Sequence, residues 1–230
     1  MNVDKKEIDN FDIYAHEWWN KRGPYKLIHN LTPIRVDYIQ NTINIKGLRI
    51  LDIGCGGGLL AEELSKKGAK ITGLDASEKT INIAKQHAKE SNLNIEYICS
   101  TLESYIEKNK KKFDVVICFE LIEHVPDQEK LIHSISEVTK KNSTLFFSTI
   151  NRNIVSFAFA KVIAEYFLKI VPQGTHQYEK FIKPSELALL LELAGFKIDD
   201  VSGVKLNPID HTFSLSSMTK INYFMTSTKK

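Results

Sequence analysis

Arginine is scarce in this 230-residue chain. Of 31 basic residues only Arg22, Arg35, Arg49 and Arg152 are arginine, and the formal net charge is only +3. Nucleic-acid surfaces cluster positive charge and favour arginine, so no nucleic-acid partner is expected. Cysteine is scarcer still. Cys55, Cys99 and Cys118 are odd in number, sit in apolar stretches and form no CxxC pair or metal-ligand spacing. That excludes a disulfide framework and points to a reducing, cytoplasmic setting. Eleven glycines and six prolines are too few for a fibrous or disordered class. No run of about 18 uncharged apolar residues occurs, so no membrane-spanning helix is expected. Met1 to Asn20 is acidic and aromatic, unlike a signal or transit peptide. What is left is the composition of one globular domain.

Within that domain the hydrophobic period changes once. Phe11, Tyr14, Ala15, Trp18 and Trp19 recur at the spacing of one helical face, and residues 7–45 read as helices. After Gly47 short β-rich runs alternate with helical ones. Strands are expected at Leu48–Ile53, Lys70–Asp75, Asn94–Cys99, Phe113–Cys118 and Thr144–Ile150. Helices are expected at Leu59–Lys67, from an N-cap at Ser77 to about Ser91, and at Gln128–Lys140. Continuous apolar strands alternating with helices imply a parallel sheet covered on both faces. Lys108 to Lys112 reads as a solvated loop. The tail offers a helix (Pro184–Ala194), a stop at Gly195 and β-like runs at Lys197–Gly203 and His211–Thr226, an antiparallel ending to the sheet. The expected division is a helical cap (1–46), a core (47–150), an insertion (151–183) and a closing helix with strands (184–230).

The most specific signal is Leu51-Asp52-Ile53-Gly54-Cys55-Gly56-Gly57-Gly58, which ends the first strand and opens the first helix. Glycine lets the backbone turn sharply and a ligand approach the main chain. A dinucleotide fingerprint needs a third small residue at position six, where this chain has Leu59. Instead, Asp52 precedes the loop and Asp75 ends the second strand, placed to accept both hydroxyls of an unphosphorylated ribose. This combination resembles class I S-adenosylmethionine-dependent methyltransferases. Their cofactor has a ribose, no phosphate and a positive sulfonium, which suits acidic walls. The fold so implied is α/β, a mostly parallel seven-strand sheet with one antiparallel strand and an N-terminal helical cap.

Further stretches resemble one family, the O-methyltransferases of ubiquinone biosynthesis. They are Trp18-Trp19, Leu31 to Arg35, Phe119-Glu120-Leu121-Ile122-Glu123-His124-Val125-Pro126-Asp127, Phe147 to Asn153, Val171 to His176 and Lys180 to Pro184, with Asn207-Pro208 and Asn222-Tyr223 beyond. The resemblance implies that Arg35 pairs with the cofactor's carboxylate, that Gly54 and Gly56 touch its amino-acid end beside Asp52, that Asp75 holds the ribose and that Phe119 makes an apolar contact. It implies O-methylation of phenolic hydroxyls on polyprenylated rings, at both O-methylation steps of the pathway, with other enzymes of that pathway as further partners. The alternatives are methylation of a soluble catechol and an inactive scaffold.

A phenol is mostly protonated at neutral pH, so transfer to its oxygen needs help with that proton. Glu120-x-x-Glu123-His124 is the candidate, because positions i, i+3 and i+4 share one face of a helix. The resemblance implies a divalent ion on Glu120, Glu123 and His124, Mg²⁺ or alternatively Zn²⁺. The other readings are His124 as a metal-free general base and a merely structural turn, with His176 as a further base. Finally, fourteen of the eighteen residues from Ile154 to Val171 are apolar, while Lys161, Glu165 and Lys169 form a thin charged stripe. This reads either as a buried lid helix or as an interfacial helix on anionic lipid, which would place the enzyme peripherally on the inner face of the membrane.

Overall fold

The computed structural model describes residues 2–157, 178–207 and 210–230. Its helices are α1 (Lys5–Ile13), α2 (Lys26–Thr42), α3 (Leu59–Lys66), α4 (Glu78–Glu90), α5 (Leu102–Lys108), α6 (Gln128–Val138) and α7 (Pro184–Leu193). The strands are β1 (Arg49–Ile53), β2 (Lys70–Asp75), β3 (Glu96–Cys99), β4 (Phe113–Phe119), β5 (Thr139–Ile150), β6 (Phe196–Leu206), β7 (Phe213–Ser216) and β8 (Asn222–Lys229). Side-chain caps start the helices where the sequence offers them. Asp4, Ser77, Thr101 and Asp127 each accept from a backbone N–H in the first turn of the helix that follows.

One sheet runs in the order β3-β2-β1-β4-β5-β8-β6-β7. β1 to β5 are parallel, and β8 lies antiparallel between β5 and β6. Successive strand residues face opposite sides, which is why the strands are apolar throughout. Ile50, Val115, Ile117, Phe146 and Phe224 join the core under α2, α3 and α4. Their neighbours Leu51, Val116, Cys118, Phe147 and Tyr223 join the core under α5, α6 and α7. The strand order reverses between β1 and β4, so a crevice opens above their carboxyl ends.

The structure departs from the expected elements at four places. Within residues 7–45, read as helices, Ala15–Glu17 is a single 3₁₀ turn and residues 18–25 are turns between α1 and α2. The sheet has eight strands, because the run His211–Thr226 divides into β7 and β8, with β7 pairing only with β6. Helix α5 stands where no element was expected; it is short, and its signal was Thr101 capping Ser104. β5 begins at Thr139, so it takes the end of the expected helix Gln128–Lys140. Of the insertion, residues 154–157 are helical, and the Asn153 side chain accepts from the Ser156 N–H at 2.9 Å. The remainder of that segment to Val171, with its charged stripe, lies outside the described residues, as does His176. Among the described residues no helix is long and apolar enough to cross a membrane.

Candidate active site

The crevice between β1 and β4 holds a cavity of about 340 Å³. Arg35, Asp52, Gly54, Gly56, Asp75, Phe119, Glu120 and His124 all line it, brought together from α2, the glycine loop and the ends of β2 and β4. A smaller cavity of about 130 Å³ shares Gly54, Asp75 and His124 with it. This second space extends past Ala76 to Ser100, Thr101 and Leu102, beyond the ends of β2 and β3.

Glycine is required in the loop for a reason the sequence hid. Gly56 has a left-handed φ of +54°, and a Cβ there would lie 2.2 Å from the Trp18 ring; at Gly57 it would lie 2.1 Å away. The indole of Trp18 thus lies on the loop, with the Tyr25 ring tilted against it at a centroid distance of 4.0 Å. Trp19 adds a hydrogen bond from Nε1 to the Gly57 carbonyl at 3.1 Å. The N-terminal segment is therefore a wall of the cavity. Aromatic spacing showed Trp18 on a helical face, but only the tertiary contact places it on the loop.

The polar groups of the cavity are buried and incompletely paired. Arg35 Nε, Asp52 Oδ2 and Trp18 Nε1 have no hydrogen-bond partner. Buried polar atoms are nearly always paired in native proteins, so such a set marks a place for a polar ligand. One orphaned donor on a cation and one orphaned acceptor on a carboxylate fit the carboxylate and ammonium of an amino acid. Asp75 accepts from the N–H of Gly56 at 3.0 Å and of Ser77 at 2.9 Å. Burial raises its proton affinity above the ordinary value, and those two hydrogen bonds only partly offset the effect. Burial likewise pushes Asp52 up to about 7 despite the attraction of Arg35. Burial lowers the Arg35 pKa, which Glu120 and Asp52 oppose. The guanidinium lies 5.3 Å over the Phe119 ring, itself stacked on Phe224 at 5.5 Å. Phe119 thus supports the arginine as well as lining the site.

The raised Asp52 carries a stability prediction. A folded-state pKa above the unfolded one means that the folded protein binds the proton more tightly. Its stability is then full near pH 4 and falls as pH climbs to about 7. At 1.36 kcal/mol per unit, the cofactor-free protein loses roughly 2–4 kcal/mol over that window. Asp52→Asn is expected to melt higher than wild type at pH 8 and by a clearly smaller margin at pH 4.5. Identical melting differences at the two pH values would show that the buried charge costs nothing.

The Glu120–His124 segment is not the helical face expected of it. Glu120 takes a left-handed φ of +51°, and Ile122–His124 is a single 3₁₀ turn, so the three side chains diverge to separate partners. Glu120 accepts from Ser148 Oγ at 2.8 Å and from Asn222 Nδ2 at 3.3 Å, with Arg35 3.8 Å away. Glu123 is buried and accepts from Thr149 Oγ1 at 2.9 Å. His124 Nδ1 lies 3.3 Å from Glu7 Oε2 of α1, a partner that sequence spacing gave no means of finding. Among the described residues no group of three His, Cys, Asp or Glu converges to hold a metal ion. The ligand set expected for Mg²⁺ or Zn²⁺ is thus not formed by Glu120, Glu123 and His124 in this arrangement. Burial, then Glu120, raises the Glu123 pKa. Burial pulls the His124 pKa down, but Glu7, Glu123 and Glu120 outweigh it and the net direction is up.

Residues 36–201 match the family model described as a methyltransferase domain. The ubiquinone biosynthesis O-methyltransferase of Coxiella burnetii is 43% identical over 223 residues, 97% of this chain and 95% of that protein. The chain belongs to the ubiquinone biosynthesis O-methyltransferase family. Another member, from Chromobacterium violaceum, is 42% identical over 97% of each chain. The fold also matches the magnesium protoporphyrin IX methyltransferase of Synechocystis PCC 6803 with bound SAH. That likeness has a TM-score of 0.66 and 20% identity, over 92% of this chain and 87% of that one. As a member of its family, the protein is an S-adenosylmethionine-dependent methyltransferase.

Proposed function

We propose that this O-methyltransferase acts on phenolic hydroxyls of polyprenylated rings at both O-methylation steps of ubiquinone synthesis. The observation that carries the reading is one cavity lined by an amino-acid-binding set, a ribose acid and a half-buried histidine. Arg35 would hold the cofactor's carboxylate, Asp52 and the Gly54 backbone its ammonium end, and Asp75 both ribose hydroxyls. The space from Ala76 to Leu102 takes the adenine. Glu103, whose Oε1 is buried there without a partner, accepts from its amino group. The bound cofactor supplies an electrophilic methyl group on sulfonium.

This chain's own residues then align the ring and manage one proton. His124 takes the proton from the phenolic oxygen as that oxygen attacks in line, and Glu7 steadies the imidazolium so formed. Glu120, fixed by Ser148 and Asn222, accepts from the neighbouring hydroxyl. Ile154 and Phe157, exposed at the start of the insertion, support contact with a lipid surface where a prenylated substrate resides. Labelled cofactor with both prenylated substrates in anionic vesicles tests the reading. Label should enter both products, and the protein should float with the vesicles. Label transfer only to soluble catechols would overturn it.

A further inference from the structure

The cavity extends well past the groups that a cofactor and a phenol ring would use. From Arg35 back to Leu27, helix α2 turns Leu31, Ile28 and Leu27 toward it, a span of about 12 Å at 1.5 Å per residue. Leu206 of β6, Phe213 of β7 and Ile221 before β8 also line it. Of these six, only Leu31 is buried; the other five are half-buried. They keep apolar area in water that packing among the described residues does not remove.

The wall is held in place by polar ties at its edge. Asn30 Nδ2 donates to the His211 carbonyl at 3.0 Å, and Lys26 Nζ lies 3.3 Å from His211 Nδ1. Leu206 and Phe213 are register partners in the β6–β7 hairpin. Among the described residues β7 pairs with no strand but β6, so the sheet does not depend on it for closure. What β7 supplies is Phe213, which lines the cavity beside α2.

We propose that this wall between α2 and the β6–β7 hairpin is the subsite for the isoprenoid tail, seating the isoprene units nearest the ring. The inference rests on the reading of the substrate as a prenylated phenol. An aliphatic chain with no hydrogen-bonding group suits an apolar, half-exposed wall. The same wall is continuous with the cavity that holds Glu120 and His124, so ring and tail fit one ligand. β7 then has a purpose in substrate selection.

The test compares a farnesyl-bearing catechol in detergent with the same catechol lacking the tail. Phe213→Ser removes one side of the wall, and Leu206→Trp crowds it. Each variant should raise KM for the farnesyl substrate about tenfold or more, the scale of unburying one large apolar side chain. Turnover of the tail-less catechol and calorimetric affinity for S-adenosylmethionine should stay at wild-type values. Because Leu206→Trp adds rather than removes apolar volume, it serves where Phe213→Ser lowers the melting temperature. Equal losses on both substrates, or no change on either, would overturn the subsite while leaving the reading of the enzyme intact. Wild-type protein that methylates the tail-less catechol but not the farnesyl one would overturn both.

Discussion

Replacing His124 by glutamine is expected to lower kcat for methyl transfer roughly 10²- to 10⁴-fold, the usual contribution of a positioned general base. The affinity for S-adenosylmethionine should change little, because no cofactor-binding group is removed. The size of the effect follows from the environment. His124 is enclosed by the edge of Phe11, with ring centroids 5.5 Å apart, and by Glu7 at 3.3 Å. The carboxylates of Glu7, Glu123 and Glu120 raise its proton affinity above the ordinary value, against the effect of burial. A base so strengthened stands closer to the phenol it must deprotonate. It is also protonated to a higher pH, so kcat/KM in the wild type should rise with pH, through a midpoint above the ordinary 6.5. The glutamine variant should lose that rise. A variant retaining both full rate and the wild-type pH profile would remove His124 from the chemistry.

Asp75→Ala should weaken S-adenosylmethionine binding by about 1.5–3 kcal/mol, the range for losing a hydrogen bond to a charged group, which is roughly 10- to 150-fold in Kd. The chain should remain folded. Asp75 is a half-buried carboxylate with raised proton affinity, so its ionised form costs the empty protein free energy rather than stabilising it. Its contacts to the Gly56 and Ser77 N–H groups shape the loop ends, and Ser77 is also tied to Asp12 of α1. Titration calorimetry together with thermal melting separates the two effects. Unchanged affinity would take Asp75 out of the ribose site. A collapse of melting temperature would make it a structural residue of the loop.

Much of the fold was legible because its causes are local. The alternation of strand and helix, the cap at Ser77 and the unbroken apolar strands each follow from neighbouring residues, and they specify a covered parallel sheet. The glycine loop followed by Asp75 was equally legible, since a tight turn and a strand-end acid are properties of short segments. Arg35 stood out because the chain uses arginine so rarely. Its partners were not legible, because Phe119 and Glu120 meet it only when α2 packs over β4. The same holds for His124 and Glu7, which lie 3.3 Å apart yet stand far apart in the sequence, after β4 and in α1.

The sequence determined by itself that Glu120, Glu123 and His124 would fall together near a strand end. Only the tertiary structure decided what they do there. A helical spacing implies a common face only if the backbone is helical, and Glu120 takes a left-handed φ that breaks it. Each side chain then finds a partner from a distant element, Ser148 and Asn222, Thr149, or Glu7. Trp18 on the glycine loop and Phe213 beside α2 are likewise contacts between segments far apart in the chain. Composition and period determine which elements form, through short-range sterics and the burial of apolar faces. Which polar groups are left unpaired in a cavity depends on how those elements close upon one another, and no local pattern records that.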